Sequence, residues 1–171
     1  MKVSNNIYFF NKTYKLSITK LFMIEKTLVL IKPDAMVKKL AGDVITELYK
    51  LDLKMIGLKL VKVKKELAEK HYEQLKDKPF FEKLIKHLTG KMHDNENVIA
   101  IVYRGENAIQ KVRELAGATH PEEAHPSSIR GKYGRVHTKI DCFENVIHAS
   151  DSPENAKKEI ALWFGKNELI E

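Results

Sequence analysis

The chain has 171 residues, 30 Lys+Arg against 23 Asp+Glu, a formal net charge of +7, and 43% apolar and 31% charged residues. That balance excludes wholesale disorder, and the length predicts one domain able to bury its own core. No apolar run approaches the roughly 18 residues of a membrane-spanning helix. The single cysteine, Cys142, excludes an internal disulfide and leaves too little thiol for a zinc site, in keeping with a reducing, cytoplasmic setting.

Residues 1–22 hold Lys2, Lys12, Lys15 and Lys20 and no acid, so the remaining 149 residues carry only +3. The segment has neither the apolar stretch and small-residue cleavage site of a secretory signal nor the arginines of a transit peptide. It is expected to be a disordered N-terminal extension, or a stretch upstream of a working start at Met23, with a targeting role the lesser alternative and residues 23–171 forming the domain. A basic excess this small does not argue for a nucleic acid partner.

From Thr27 to Ile31 an aliphatic run closed by Lys32-Pro33-Asp34 predicts a buried strand and a turn. Val37, Leu40, Ala41, Val44, Ile45 and Leu48 fit one helix over 36–50. Residues 57–64 have strand character, with a change of phase at Leu60-Val61 that suggests a bulge. Two short helices follow, 66–75 and 80–89, with Gly90 as a C-cap. A strand over 98–103 and a helix over 107–116 come next. Residues 117–141 carry two prolines and three glycines with little periodicity and predict a long loop, a segment that in a compact domain is usually functional. A short strand over 145–148 precedes Ser152-Pro153-Glu154, a strong helix start, and a last helix to Phe164. Without the extra helices the order is βαββαβ. The fold class is α+β: a ferredoxin-like antiparallel four-stranded sheet with helices on one face and a long loop insertion before the last strand.

G-x-x-x-x-G-K-[ST], G-x-G-x-x-G and H-E-x-x-H are all absent. A nucleotide handled here would be held by side-chain cations, not by a glycine cradle. His148 ends an apolar strand just before a capped helix, whose free N–H groups and dipole favour an anion. That place suits a nucleophile that becomes phosphorylated, and equally a strand-end histidine bonded to backbone. Ala156, Ile160 and Trp163 form the apolar stripe of the last helix, and Glu159 falls at its edge. A carboxylate there either accepts from a ring nitrogen of His148, fixing its tautomer, or snorkels to a surface lysine. Lys32, Arg113 and Arg130 are surface charges taken singly; converging on one histidine they would form a phosphoryl-transfer site. His71, His87, His93, His120, His125 and His137 show no ligand spacing and read as surface or loop residues. Phe80-Phe81 after Pro79 reads as helix-start packing, although an exposed Phe can stack on a base.

With these residues in view, the chain resembles the nucleoside diphosphate kinases over nearly all of 23–171. The matching pieces are Thr-Leu-Val-Leu-Ile-Lys-Pro-Asp (27–34), His-Tyr-Glu-Gln-Leu-Lys-Asp-Lys-Pro-Phe-Phe (71–81), Gly-Ala-Thr-His-Pro (117–121), Ser-Ile-Arg-Gly (128–131), Asn-Val-Ile-His-Ala-Ser-Asp-Ser (145–152) and Glu-Ile-Ala-Leu-Trp-Phe (159–164). The resemblance implies a ferredoxin-like fold and a ping-pong transfer of the γ-phosphoryl group of a nucleoside triphosphate, typically ATP, to a nucleoside diphosphate through a phosphohistidine on His148. It implies that Ser150 and Glu159 orient His148, that Lys32, Tyr72, Arg113, Thr119, Arg130 and Asn145 surround phosphates and ribose, and that Phe80 stacks on the base. It also implies Mg²⁺ held by the nucleotide phosphates with no direct protein metal site, and a homo-oligomer, tetramer or hexamer.

The chain departs from the common pattern in several places. Residues 88–97 and 132–143 form longer segments. His120 stands where Asn or Asp is usual before proline, and Ser127-Ser128 stands where Gly-Thr is common. The chain also stops soon after the last helix, without the tail of some hexameric members. Two other classes compete with the enzyme. An inactive, assembly-only relative would not keep every catalytic position filled. An RNA-binding module would rest on Arg130-Gly-Lys-Tyr-Gly-Arg-Val, which matches the RNA-recognition signature poorly, so nucleic acid is not expected as a substrate.

Overall fold

The computed structural model describes residues 23–170, so the expectations for residues 1–22 lie outside the described residues. Its framework is one antiparallel sheet of β1 (Ile24–Ile31), β2 (Lys54–Lys62), β3 (Asn97–Glu106) and β6 (Ile147–Ala149), ordered β2-β3-β1-β6. This is the expected α+β architecture. A separate hairpin pairs β4 (Arg135–His137) with β5 (Cys142–Glu144).

The two central strands read as continuous aliphatic runs because both faces of the sheet are covered. Val29, Ile31, Ile101 and Tyr103 point to one face, where they pack on α2 (Ala41–Tyr49) and α5 (Ala108–Ala116). Leu28, Leu30, Val98, Ala100 and Val102 alternate to the other face, beneath α3 (Lys65–His71), α4 (Phe81–Leu88) and α7 (Pro153–Trp163). Helices cover both faces and not only the one expected: the α3–α4 pair and the C-terminal helix clad the second.

Several boundaries differ from expectation for local reasons. The helix expected over 36–50 is two, α1 (Pro33–Val37) and α2, because Lys39 adopts a left-handed φ of 59° between them. The irregularity of β2 lies between Met55 and Gly57, while Leu60 and Val61 pair regularly with Ile99 and Val98. Gly90 closes the turn after α4 at φ 74°, as a C-cap glycine should. The long loop is largely built: a 3₁₀ turn (Pro121–Glu123), α6 (Ile129–Tyr133) and the β4–β5 hairpin occupy it. Ser128 caps α6 by accepting the Gly131 N–H, and Ser152 caps α7 by accepting that of Asn155.

Candidate active site

β6 lies against β1 with His148 opposite Leu30, so His148 points to the face that α7 covers. Ser150, two residues on, points the same way and continues the pairing, its N–H donating to the Leu28 carbonyl at 3.1 Å. Its hydroxyl donates to Glu159 Oε2 at 2.6 Å. Glu159 is buried beside Ala156, Ile160 and Trp163, and both its oxygens lie near His148 Nε2, at 3.1 and 3.0 Å. A carboxylate only accepts, so Nε2 carries the ring proton and Nδ1 is left with a free lone pair. His148 itself is 18% exposed, open to a substrate on its Nδ1 side. Glu159 thus faces His148 and not a surface lysine.

The approach to this strand is strained. Val146, fully buried, has φ 69°, a region that β-branched residues avoid. The Ile147 N–H bonds the Asn145 carbonyl across it at 2.7 Å, forming a γ-turn. This turn swings Asn145 toward Lys32, whose Nζ donates to Asn145 Oδ1 at 2.7 Å, while Asn145 Nδ2 donates to the Thr119 carbonyl at 3.0 Å. The strand expected over 145–148 therefore starts two residues later, after the turn.

Three cations share one electrostatic neighbourhood. Lys32 is 6% exposed, and burial, with Arg130 nearby, brings its amine down to about 8 despite the opposing pull of Asp34. Arg130 crosses from α6 to donate to the Gly117 carbonyl at 2.7 Å and the Ile147 carbonyl at 2.9 Å. Burial, then the charge of Arg113, lowers its guanidinium to about 10. Arg113 is exposed on α5, and its charge acts on both Arg130 and Asp151. Gly117 is glycine for a reason: at φ 85°, a Cβ would meet Ser128 Oγ at 2.3 Å. Tyr72 is buried, and desolvation together with the Glu159 charge pushes its phenol well above its ordinary value. Phe80 is the residue before α4 and stands 47% exposed. Among the described residues it shares no hydrogen bond or ring stacking with His148, and Thr119 takes part through its carbonyl.

Against expectation, His71 and His87 are buried on helices, while His93 keeps its loop place with its side chain turned inward. His71 and His87 are each 3% exposed, and the His93 side chain is 7% exposed. His71 packs edge-on to His148, centroids 4.5 Å apart at 79°, and its Nδ1 accepts the Trp163 Nε1 proton at 3.2 Å. One ligand atom each of His71, His148 and Glu159 lies within 4.8 Å of the others, close enough to suggest a metal triad. The Trp163 bond, however, leaves the His71 proton on Nε2, where it blocks ligation. The place of His71 at the end of α3, one turn after Ala68 and next to Tyr72, was the available signal for its burial.

The family model "Nucleoside diphosphate kinase" matches residues 25–169. A nucleoside diphosphate kinase of Pyrococcus furiosus is 47% identical over 148 residues, 86% of this chain and 88% of that protein. One from Pelotomaculum thermopropionicum is 45% identical over 148 residues, 86% of this chain and 93% of its own length. Among solved structures, a nucleoside diphosphate kinase of Borrelia burgdorferi with bound vanadate and ADP, described as a transition-state mimic, superposes with a TM-score of 0.77 at 34% identity, covering 86% of this chain and 91% of that one. A halophilic one from Halobacterium salinarum in complex with CDP gives 0.78 at 39% identity over 87% of this chain and 93% of that one. Fold, matched length and identity converge: the chain belongs to the nucleoside diphosphate kinase family and is a nucleotide phosphotransferase.

Proposed function

We propose that His148 is the residue that carries the phosphoryl group, in a ping-pong exchange between a nucleoside triphosphate, typically ATP, and a nucleoside diphosphate. The observation that carries this reading is the His148–Glu159–Ser150 relay, which spends Nε2 on a carboxylate and leaves Nδ1 free to attack. Nδ1 uses its lone pair to form an N–P bond to the γ-phosphorus. The bond from phosphorus to the β–γ bridging oxygen breaks, and the diphosphate leaves with that electron pair. Positive charge builds on the ring, and Glu159 offsets it through the Nε2 proton. In the second half, a terminal oxygen of the acceptor diphosphate attacks the phosphorus, and Nδ1 recovers its pair.

Lys32, Arg113 and Arg130 supply positive charge to the phosphates, with Tyr72, Thr119 and Asn145 placing phosphates and ribose and Phe80 offering a face to the base. Stacking does not read base edges, so several bases fit. Glu159, Glu144 and Asp34 Oδ2 accept from protein donors, so these three carboxylates are not assembled into a cage for a cation. That donor set fits Mg²⁺ arriving on the nucleotide phosphates, where it neutralises charge. The free Cys142 fits a reducing, cytoplasmic setting. Among the described residues no helix is long and apolar enough to cross a membrane. Leu58 and Leu60, 52% and 62% exposed on the outer strand β2, support a homo-oligomer. Native mass spectrometry is expected to show an integer multiple of the 19.7 kDa chain; a single-chain mass alone would refute the assembly.

Intact mass after brief exposure to ATP and Mg²⁺ tests the shuttle. A single phosphate adduct, stable in base, lost in acid and discharged by GDP, is expected. A fully folded enzyme that turns over without such an adduct would rule the shuttle out.

A further inference from the structure

A β-branched residue held at positive φ costs about 1–3 kcal/mol, and persists only where its surroundings fix it. Val146 is such a residue, two positions before His148 and one after Asn145. Its carbonyl accepts the Lys32 N–H at 2.9 Å, and its own N–H donates to Asp34 Oδ2 at 2.9 Å. Asp34 reaches this N–H from α1, across 112 residues of chain, and its side chain is fully buried. An ordinary acidic residue in a first helical turn faces water and complements the helix dipole. This one is turned inward onto a single backbone N–H.

The other oxygen of Asp34 has one neighbour of note. Oδ1 faces His87 Nε2 at 3.5 Å, and neither atom has a hydrogen-bond partner. His87 comes from α4 and packs edge-on to His93, centroids 5.0 Å apart at 78°. His93 in turn lies 3.7 Å from Glu144, which Arg135 and Lys38 hold in place. His93 and the β4–β5 hairpin sit in or beside the two longer segments of the chain. The His93 ring is thus packed on His87, with Glu144 beside it. A buried carboxylate oxygen is costly without a donor, and the imidazole N–H of His87 is the group placed to supply one.

We propose that Asp34 is a positioning residue for phosphoryl transfer, holding Val146 in its strained turn so that Asn145 and His148 keep their aim, and that His87 orients Asp34. This rests on His148 being the phosphorylated residue. Asp34 touches no substrate and moves no proton. Its effect passes through the backbone of one residue to the nucleophile and to the amide that holds Lys32. Displacing a nucleophile by about 1 Å lowers reaction rates up to about 100-fold.

Quench-flow phosphorylation at saturating ATP and Mg²⁺, read by intact mass, tests this on the full chain. Asp34→Ala is expected to slow adduct formation about 10- to 100-fold, with every chain still phosphorylated in the end and the ATP KM within about threefold. His87→Phe is expected to slow it about fivefold, and His87→Gln, which keeps an N–H donor near the Nε2 position, to restore it to within about twofold of the parent. Normal rates in both Asp34→Ala and His87→Phe would overturn the proposal. So would a lower fraction of phosphorylatable chains at an unchanged rate, the signature of mere unfolding. If Asp34→Ala yields no folded protein, the His87 pair decides alone: equal rates in Phe and Gln variants overturn it. A parent chain that takes its phosphate elsewhere than His148 would instead defeat the assignment of the nucleophile.

Discussion

His148→Ala is expected to abolish nucleotide phosphotransfer, with turnover falling at least about 10⁴-fold, while the chain stays folded. The asymmetry follows from where the imidazole sits. Its Nδ1 makes no hydrogen bond among the described residues, so removing the ring strands no buried donor there. Glu159 keeps the Ser150 hydroxyl at 2.6 Å, and the strand pairing of Val29 with Ala149 and Ile31 with Ile147 does not depend on the side chain. The melting temperature is therefore expected to stay within about 5 °C of the parent. Alanine, by contrast, offers no lone pair, and the neighbouring nucleophiles among the described residues are buried and committed: Ser150 Oγ donates to Glu159, and His71 Nδ1 accepts from Trp163. A coupled assay of GTP formation from ATP and GDP, with circular dichroism as the control, checks both halves. Turnover within tenfold of the parent would mean that another group carries the phosphoryl.

Much of this site is legible in the residues, and the failures have physical causes. Glu159 at the edge of the Ala156–Ile160–Trp163 stripe and His148 at the end of an apolar strand are products of helical and strand periods, and both fall where those periods put them. The Ser152-Pro153 cap works for the same local reason. The convergence of Lys32, Arg113 and Arg130 is not local. It depends on β6 pairing with β1, and on Arg130 spanning the Gly117 and Ile147 carbonyls, contacts that no spacing encodes. The elements missed within 117–141 are three to five residues long, too short for a period to show, although the Ser128 cap was there to be read. The break at Lys39 and the turn at Val146 use residue types with no taste for positive φ, so tertiary contacts impose them. His87 is different. It sits between Leu84 and Leu88 on an apolar helix face, and the pattern that placed those leucines inside applied to it as well.

Lys32→Met is expected to stabilise the fold and cripple the enzyme. In the folded chain the Lys32 amine is brought down from 10.5 to about 8, mainly by burial. At pH 7 it is charged in both states, so the folded state bears a cost of about 3 kcal/mol for keeping a cation in that place. Between about pH 8 and 10.5 the unfolded chain holds the proton and the folded chain does not, so the parent gains stability as pH rises through that window. Methionine has a similar length and no charge. Its cost is the donor lost from Asn145 Oδ1, about 1–2 kcal/mol. The balance at pH 7 favours the variant, by about 2–6 °C in melting temperature. That advantage should shrink between pH 8 and 10, because the parent sheds its buried charge there and the variant has none to shed. Activity moves the other way. A buried ammonium is strong where water cannot screen it, and losing it at developing phosphate charge should lower kcat/KM by about 10²- to 10³-fold. The same titration predicts an alkaline limb near pH 8 in the parent's kcat/KM, since that quantity reports the free enzyme. Thermal melts at pH 7 and pH 10, beside the parent's pH–rate profile, separate the two effects. A variant less stable than the parent at pH 7, or a parent profile flat through pH 9, would show that Lys32 is not the strained cation its burial implies.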